Sequence, residues 1–253
     1  MIFLKTSKEI KVIKEGGKKL AEVMEKVKKA IRPGIAAIEL ERLAESLILE
    51  SGGKCSFKGY ESTPGDIFPA CLCLSFNEEI VHGIPAERIL QEGDIVSLDL
   101  GFFYKGFHSD MAETVAIGKP SPLAKKLIDV TREALHLGTK ELIPGHYFGD
   151  VGFIIQSHAE KHGFGVVRDL CGHGIGKNVH EDPQVLNYGR RRTGIKIVEG
   201  MVVCLEPMFT VGSYQVVKDR HGSSYRTSDR SLSAHFEHTV AVTKKGPLVL
   251  TKK

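Results

Sequence analysis

The stretch IVSLDLGFFYKGFHSDMAETVAIG, from Ile95 to Gly118, reads as a β-hairpin. Its flanks are rich in β-branched and aromatic residues, and Lys105-Gly106 suits the two central positions of a tight turn. With that turn, Asp99 faces Ala112 and Asp110 faces Gly101. Side chains alternate with period two, so Asp99 and Asp110 fall on one face as diagonal neighbours, roughly 7–8 Å apart at Cα. Leu98, Leu100, Phe102 and Phe103 surround them. An isolated pair of this spacing more often marks solvated carboxylates at a sheet edge. On an apolar ribbon, two ionised carboxylates repel and resist desolvation, and a divalent cation would relieve both.

Outward from the hairpin, four helices are legible. Thr6 and Glu9 have capping-box spacing, Ile10 to Ile31 recur with helical period, and Pro33-Gly34 ends the run. A second helix runs through Ile38, Leu40, Leu43, Leu47 and Ile48 to Gly52-Gly53. Ser121-Pro122 opens a third, and Val151 to Ala159 form a fourth before Gly163. Pro33 and Pro144 are 111 residues apart, as are Gly52 and Gly163. This echo predicts one domain of two related halves, about residues 1–120 and 121–253. GMVVCLEPMFTVG and SAHFEHTVAVT are two further strand candidates. The expectation is an α+β fold with helices on one face of a curved antiparallel sheet.

Composition bounds the rest. Of 253 residues, 42% are hydrophobic and 26% charged, which excludes a largely disordered chain. No apolar run is long enough for a membrane span, no secretory leader is read, and a cytoplasmic protein is expected. The five cysteines include no CxxC pair and predict neither a disulfide framework nor a zinc ribbon. The net charge of +4 fits ordinary solubility, although eight lysines lie between Lys8 and Lys29 and Arg190 to Arg192 form a second basic run.

Glu206 and Glu237 each interrupt a strand-like run, and a buried carboxylate there needs a partner. His173 lies in CGHGIGKN among glycines that let the backbone approach closely. Together with Asp99 and Asp110, these residues offer four carboxylates and one imidazole. Two divalent ions would neutralise them, and the oxygen-rich set suits Mn, Fe(II), Co or Zn in a hydrolytic site. His82 and His180 adjoin turn-forming residues and could donate to an oxyanion or a scissile amide. GHGIGKN fails both the P-loop and the dinucleotide patterns, no HExxH motif occurs, and Cys171 beside His173 reads as packing.

These residues resemble the type I methionine aminopeptidases. NEEIVHGIP, DIVSLDLGFFYKGFHSD, CGHGIGKNVHEDPQVLNYG, LEPM and DRSLSAHFEHT carry the resemblance, which spans nearly the whole chain. It implies a pita-bread fold. It implies that Asp110 and Glu237 bridge two metals, that Asp99 binds one, and that His173 and Glu206 bind the other. It also implies hydroxide attack on the carbonyl of an N-terminal methionine with a small second residue, Glu206 as proton shuttle, His180 on the scissile amide and His82 on the substrate backbone. The expected substrates are nascent chains, the protein is expected to be monomeric, and Lys11, Lys18 and Lys29 offer a ribosome contact.

The pocket segment departs from the family's compact form. SFKGYESTPGDIFPACLC carries about five extra residues around Glu61 to Asp66, by motif alignment. Tyr60, Phe68 and Cys73 would line the methionine pocket, while Val179 and Ser223 stand where relatives carry aromatics. Two other readings compete: a Xaa-Pro peptidase of the same fold, against which the lack of an N-terminal domain argues, and a metal-free binding module, against which the full ligand set argues.

Overall fold

The computed structural model describes residues 1–63, 65–219 and 223–253. Pro64, within the expected insertion, lies outside the described residues. Four helices, α1 (Ser7–Ala30), α2 (Ala37–Glu50), α3 (Pro122–Lys140) and α4 (Phe148–Lys161), cover a nine-stranded sheet whose pairings are all antiparallel. Local chemistry sets the helix ends. Thr6 and Glu9 form the reciprocal capping box, and the Ser121 hydroxyl accepts from the Ala124 amide ahead of Pro122. Helices α2 and α4 start 111 residues apart, and each is followed by a glycine of positive φ, Gly52 and Gly163. Lys11, Lys18 and Lys29 lie on the solvent face of α1.

The hairpin has the register expected of it. Strands Ile95–Tyr104 and Phe107–Ala116 pair residue for residue around Lys105-Gly106, with Asp99 opposite Ala112 and Asp110 opposite Gly101. Positive φ at both turn residues matches the strand twist. Period-two alternation then divides the faces. Leu98, Leu100, Phe102 and Met111 pack against Leu20, Met24 and Val27 of α1 and Leu40, Ala44 and Ile48 of α2. A second core joins α3 and α4 to Val203, Leu205, Val240 and Val242. Burying each such side chain contributes roughly 1.5–3 kcal/mol. Asp99 and Asp110 are thereby turned to the opposite, concave face.

Two strand expectations are corrected, and both corrections shape the site. GMVVCLEPMFTVG is not one strand: Val202–Leu205 lies in the main sheet, Met208–Thr210 lies in a separate three-stranded sheet, and the break falls at Glu206-Pro207. Pro207 has no N–H to offer a ladder, so the chain leaves the sheet there. SAHFEHTVAVT likewise divides at Phe236 into Ser233–His235 and Glu237–Thr243. Each bend carries its glutamate to the sheet's end.

The cysteine expectation is also revised, because Cys55 and Cys71 form a disulfide with a Cα–Cα separation of 5.1 Å. Cys55 stands opposite Phe102 and Leu72 opposite Leu100, along the same edge of strand Ile95–Tyr104. The chain leaves that edge after Cys55 and rejoins it at Leu72, so the two cysteines meet at the neck of the excursion.

Candidate metal centre and substrate cavity

Two alternate rungs of the sheet build the acidic cluster. In one, Cys73, Asp99, Ala112 and Glu237 lie side by side across four strands. In the other, Gly101 faces Asp110 and Thr239 faces Cys204, which faces His173. Thr239 joins the two pairs, since its hydroxyl donates to the Asp110 carbonyl and accepts from the Asp110 amide, both at 2.8 Å. Rungs two residues apart share a face, so Asp99, Asp110, Glu237 and His173 converge. Glu206, at the Pro207 bend, completes the group with Oε1 3.6 Å from His173 Nε2.

All ten expected site residues line one cavity of about 650 Å³: these five, with His82, His180, Tyr60, Phe68 and Cys73. Possible ligand atoms of Asp110, His173, Cys204 and Glu237 lie within 4.8 Å of one another. Asp99 Oδ1, Asp110 Oδ1 and Glu237 Oε1 are buried without a hydrogen-bond partner. Among the described residues, no Lys or Arg forms an ion pair with any of the four acids. Burial raises Asp99 to about 6, and burial with repulsion from neighbouring acids lifts Asp110, Glu206 and Glu237 well above the carboxylate range. Unpaired buried carboxylate oxygens are costly, and cations would satisfy them. The donor set therefore fits divalent metal.

The imidazoles are oriented for the same purpose. His173 Nδ1 donates to the Gly174 carbonyl at 2.9 Å, which leaves the lone pair of Nε2 facing the acids. Burial lowers His173 to about 3, so its ring is neutral. His180 lies at the cavity rim with Nδ1 2.7 Å from the Tyr60 hydroxyl. His82 has a left-handed backbone, φ 59°, and burial lowers its ring to about 4. Phe57, Phe68, Ala70, Cys73 and Val179 form an apolar cluster against which Tyr60 packs. At the other rim, Ser223 Oγ and Lys218 Nζ reach Asp66 at 3.0 and 3.1 Å.

Four residues outside the expected set also shape the site. His235 is buried with Nε2 3.6 Å from Glu206 Oε2. Asn187 donates to the Glu206 carbonyl at 2.9 Å. Thr239 bridges the rungs as described. Cys204 sits among the ligand atoms, but burial raises its thiol well above the usual value, so it remains a neutral neighbour. Spacing from Glu237 would have flagged Thr239 and His235; nothing local points to Asn187.

Comparison with known proteins agrees with this geometry. The model of metallopeptidase family M24 matches residues 11–244, and the chain belongs to that family. Within it, the chain groups with the methionine aminopeptidases. It is 45% identical over 252 residues to the methionine aminopeptidase of Clostridium acetobutylicum, covering 99% of both chains. The methionine aminopeptidase of Thermotoga maritima superposes with a TM-score of 0.96 at 41% identity over 100% of both chains. The Xaa-Pro dipeptidase of Bacillus anthracis is more distant, with a TM-score of 0.78 and 25% identity over 99% of this chain and 62% of that one. The architecture is the pita-bread fold, and membership in M24 entails divalent metal. No helix among the described residues is long and apolar enough to cross a membrane.

Proposed function

We propose that this protein removes N-terminal methionine from chains whose second residue is small. The observation that carries this reading is the convergence of Asp99, Asp110, His173, Glu206 and Glu237 on one wall of a cavity whose other wall is apolar. In this reading the domain comprises two related halves, with the site at their junction.

The four carboxylates and His173 Nε2 would hold two divalent ions. When bound, such ions supply a water of lowered pKa and a Lewis acid for the carbonyl. Glu206 takes a proton at a carboxylate oxygen from the attacking water and returns it to the leaving amine. The Tyr60 hydroxyl donates to His180 Nδ1, so Nε2 carries the ring proton and donates to the scissile amide. His82 donates to the substrate backbone. The cluster around Phe57, Phe68 and Cys73 receives the methionine side chain, whose flexible thioether packs well against rings and sulfur.

The test is Asp99→Asn, with bound metal and hydrolysis of Met-Ala-Ser measured on the same preparation. Both should fall sharply; unchanged values for both would overturn the reading. A panel that also contains Xaa-Pro peptides checks the competing specificity, and faster turnover of Xaa-Pro than of Met-Ala would reverse the assignment.

A further inference from the structure

The excursion between Cys55 and Cys71 supplies much of the cavity wall. Phe57, Tyr60, Asp66 and Phe68 all lie within it and all line the cavity. Its neck is closed by the disulfide. Backbone bonds continue the closure: the Ser56 amide donates to the Gly101 carbonyl at 3.1 Å, and buried Glu41 accepts from the Cys71 and Leu72 amides, each at 2.8 Å. The far end is tied across the cavity by Asp66 to Lys218 and Ser223. Between these ties, the Tyr60 hydroxyl reaches His180. None of the five acid-cluster residues belongs to the excursion.

We propose that Cys55 and Cys71 are positioning residues for substrate capture, their disulfide holding the pocket wall in place. Two-electron reduction of this bond loosens the wall while leaving the metal centre intact. This rests on the aminopeptidase reading of the cavity. Cys55 is part-exposed and Cys71 fully buried, so a dithiol reductant attacks the Cys55 sulfur. The S–S bond breaks, Cys71 leaves as thiolate and takes a proton, and the second thiol of the reductant displaces Cys55. The reductant ends as a disulfide and the protein as a dithiol. The buried carboxylate of Glu41 and its neighbour Glu45 lie beside the Cys71 sulfur and oppose its thiolate, so this reduction is slow.

The test compares oxidised protein with protein treated with dithiothreitol, desalted and then given metal. Alkylation and mass spectrometry report the bond. Reduction should raise KM for Met-Ala-Ser by about tenfold, the scale of altered pocket contacts, with kcat falling no further than the roughly two- to tenfold that loss of the Tyr60–His180 hydrogen bond accounts for. Amide hydrogen exchange within residues 56–70 should quicken. The Cys55→Ser/Cys71→Ser variant should show the reduced-state KM under both conditions. The proposal is overturned if Cys55 and Cys71 stay as thiols after oxidation, if exchange and KM do not change on reduction, or if the double variant still responds to dithiothreitol. Absence of methionine-peptide turnover in either state would instead strike the aminopeptidase reading, while the exchange measurement still decides whether the bond holds the wall.

Discussion

Lys5 Nζ lies 2.6 Å from Glu181 Oε2, and both side chains are almost fully buried, at 5% and 3% exposure. The pair fastens the N-terminal segment to the turn that presents His180. Glu181 also accepts from the Asn178 amide through its other oxygen, so the turn is held from both sides. The carboxylate thus takes a charged partner and a local backbone donor, as buried charges require.

Lys5→Met leaves Glu181 buried without its counter-charge and should cost about 3–5 kcal/mol in urea unfolding. Lys5→Met/Glu181→Gln should recover a substantial part of that loss, because the uncompensated charge is gone. Equal losses in both variants would show that packing, and not charge, holds the segment.

Metal should control stability with a definite pH sign. Asp99, at about 6, and Asp110, Glu206 and Glu237, raised well above their ordinary values, bind more protons folded than unfolded. Stability of the metal-stripped protein therefore falls as pH rises from about 4, where unfolded carboxylates ionise, through these folded values. Divalent metal at about 100 times its Kd should return about 2.7 kcal/mol at pH 8, or a rise in Tm of roughly 5–10 °C. The same addition at pH 5 should do less, because ligands must lose protons to bind. Thermal scans at the two pH values, with and without metal, check both signs.

Tyr60 should act through His180. His180→Ala should lower kcat about 10²- to 10³-fold, as loss of an amide- or oxyanion-directed donor does. Tyr60→Phe forfeits one hydrogen bond of about 0.5–1.5 kcal/mol and should cost about two- to tenfold. In the double variant the Tyr60 change should add nothing to kcat, and additive losses would assign Tyr60 a separate role.

Gly83 should tolerate no side chain. A Cβ there would stand 2.2 Å from the Leu74 carbonyl oxygen, in a loop where the Leu74 amide donates to Gly83 and the Gly83 amide to Ser75. Gly83→Ala should cost about 1–3 kcal/mol, the range for forced overpacking. It should also raise KM for methionine peptides by displacing His82, whose left-handed φ depends on the same loop. Unfolding curves and steady-state kinetics measure the two effects.

Much of this architecture can be read without coordinates because its causes are local. Thr6 with Glu9, and Ser121 with Pro122, mark helix starts through contacts three residues apart. Lys105-Gly106 sets the hairpin register, and alternation alone puts Asp99 and Asp110 on one face. Glu206 and Glu237 announce themselves as carboxylates stranded in apolar runs. The bends beside them are less legible. Pro207 signals one, but nothing local at Phe236 marks the other, which depends on pairing with Met208–Thr210 in a second sheet.

The helix ends, the hairpin and the shared face of Asp99 and Asp110 are written into the chain, because capping, turn geometry and period-two alternation act over a few residues. Long-range packing alone brings Thr239 between Asp110 and Cys204, Asn187 onto the Glu206 backbone, and Cys55 against Cys71. Those contacts follow from strand order and from the edge shared by Cys55 and Leu72 on one strand. Such neighbours are set by the packing of distant segments, for which no short spacing in the chain carries a signal.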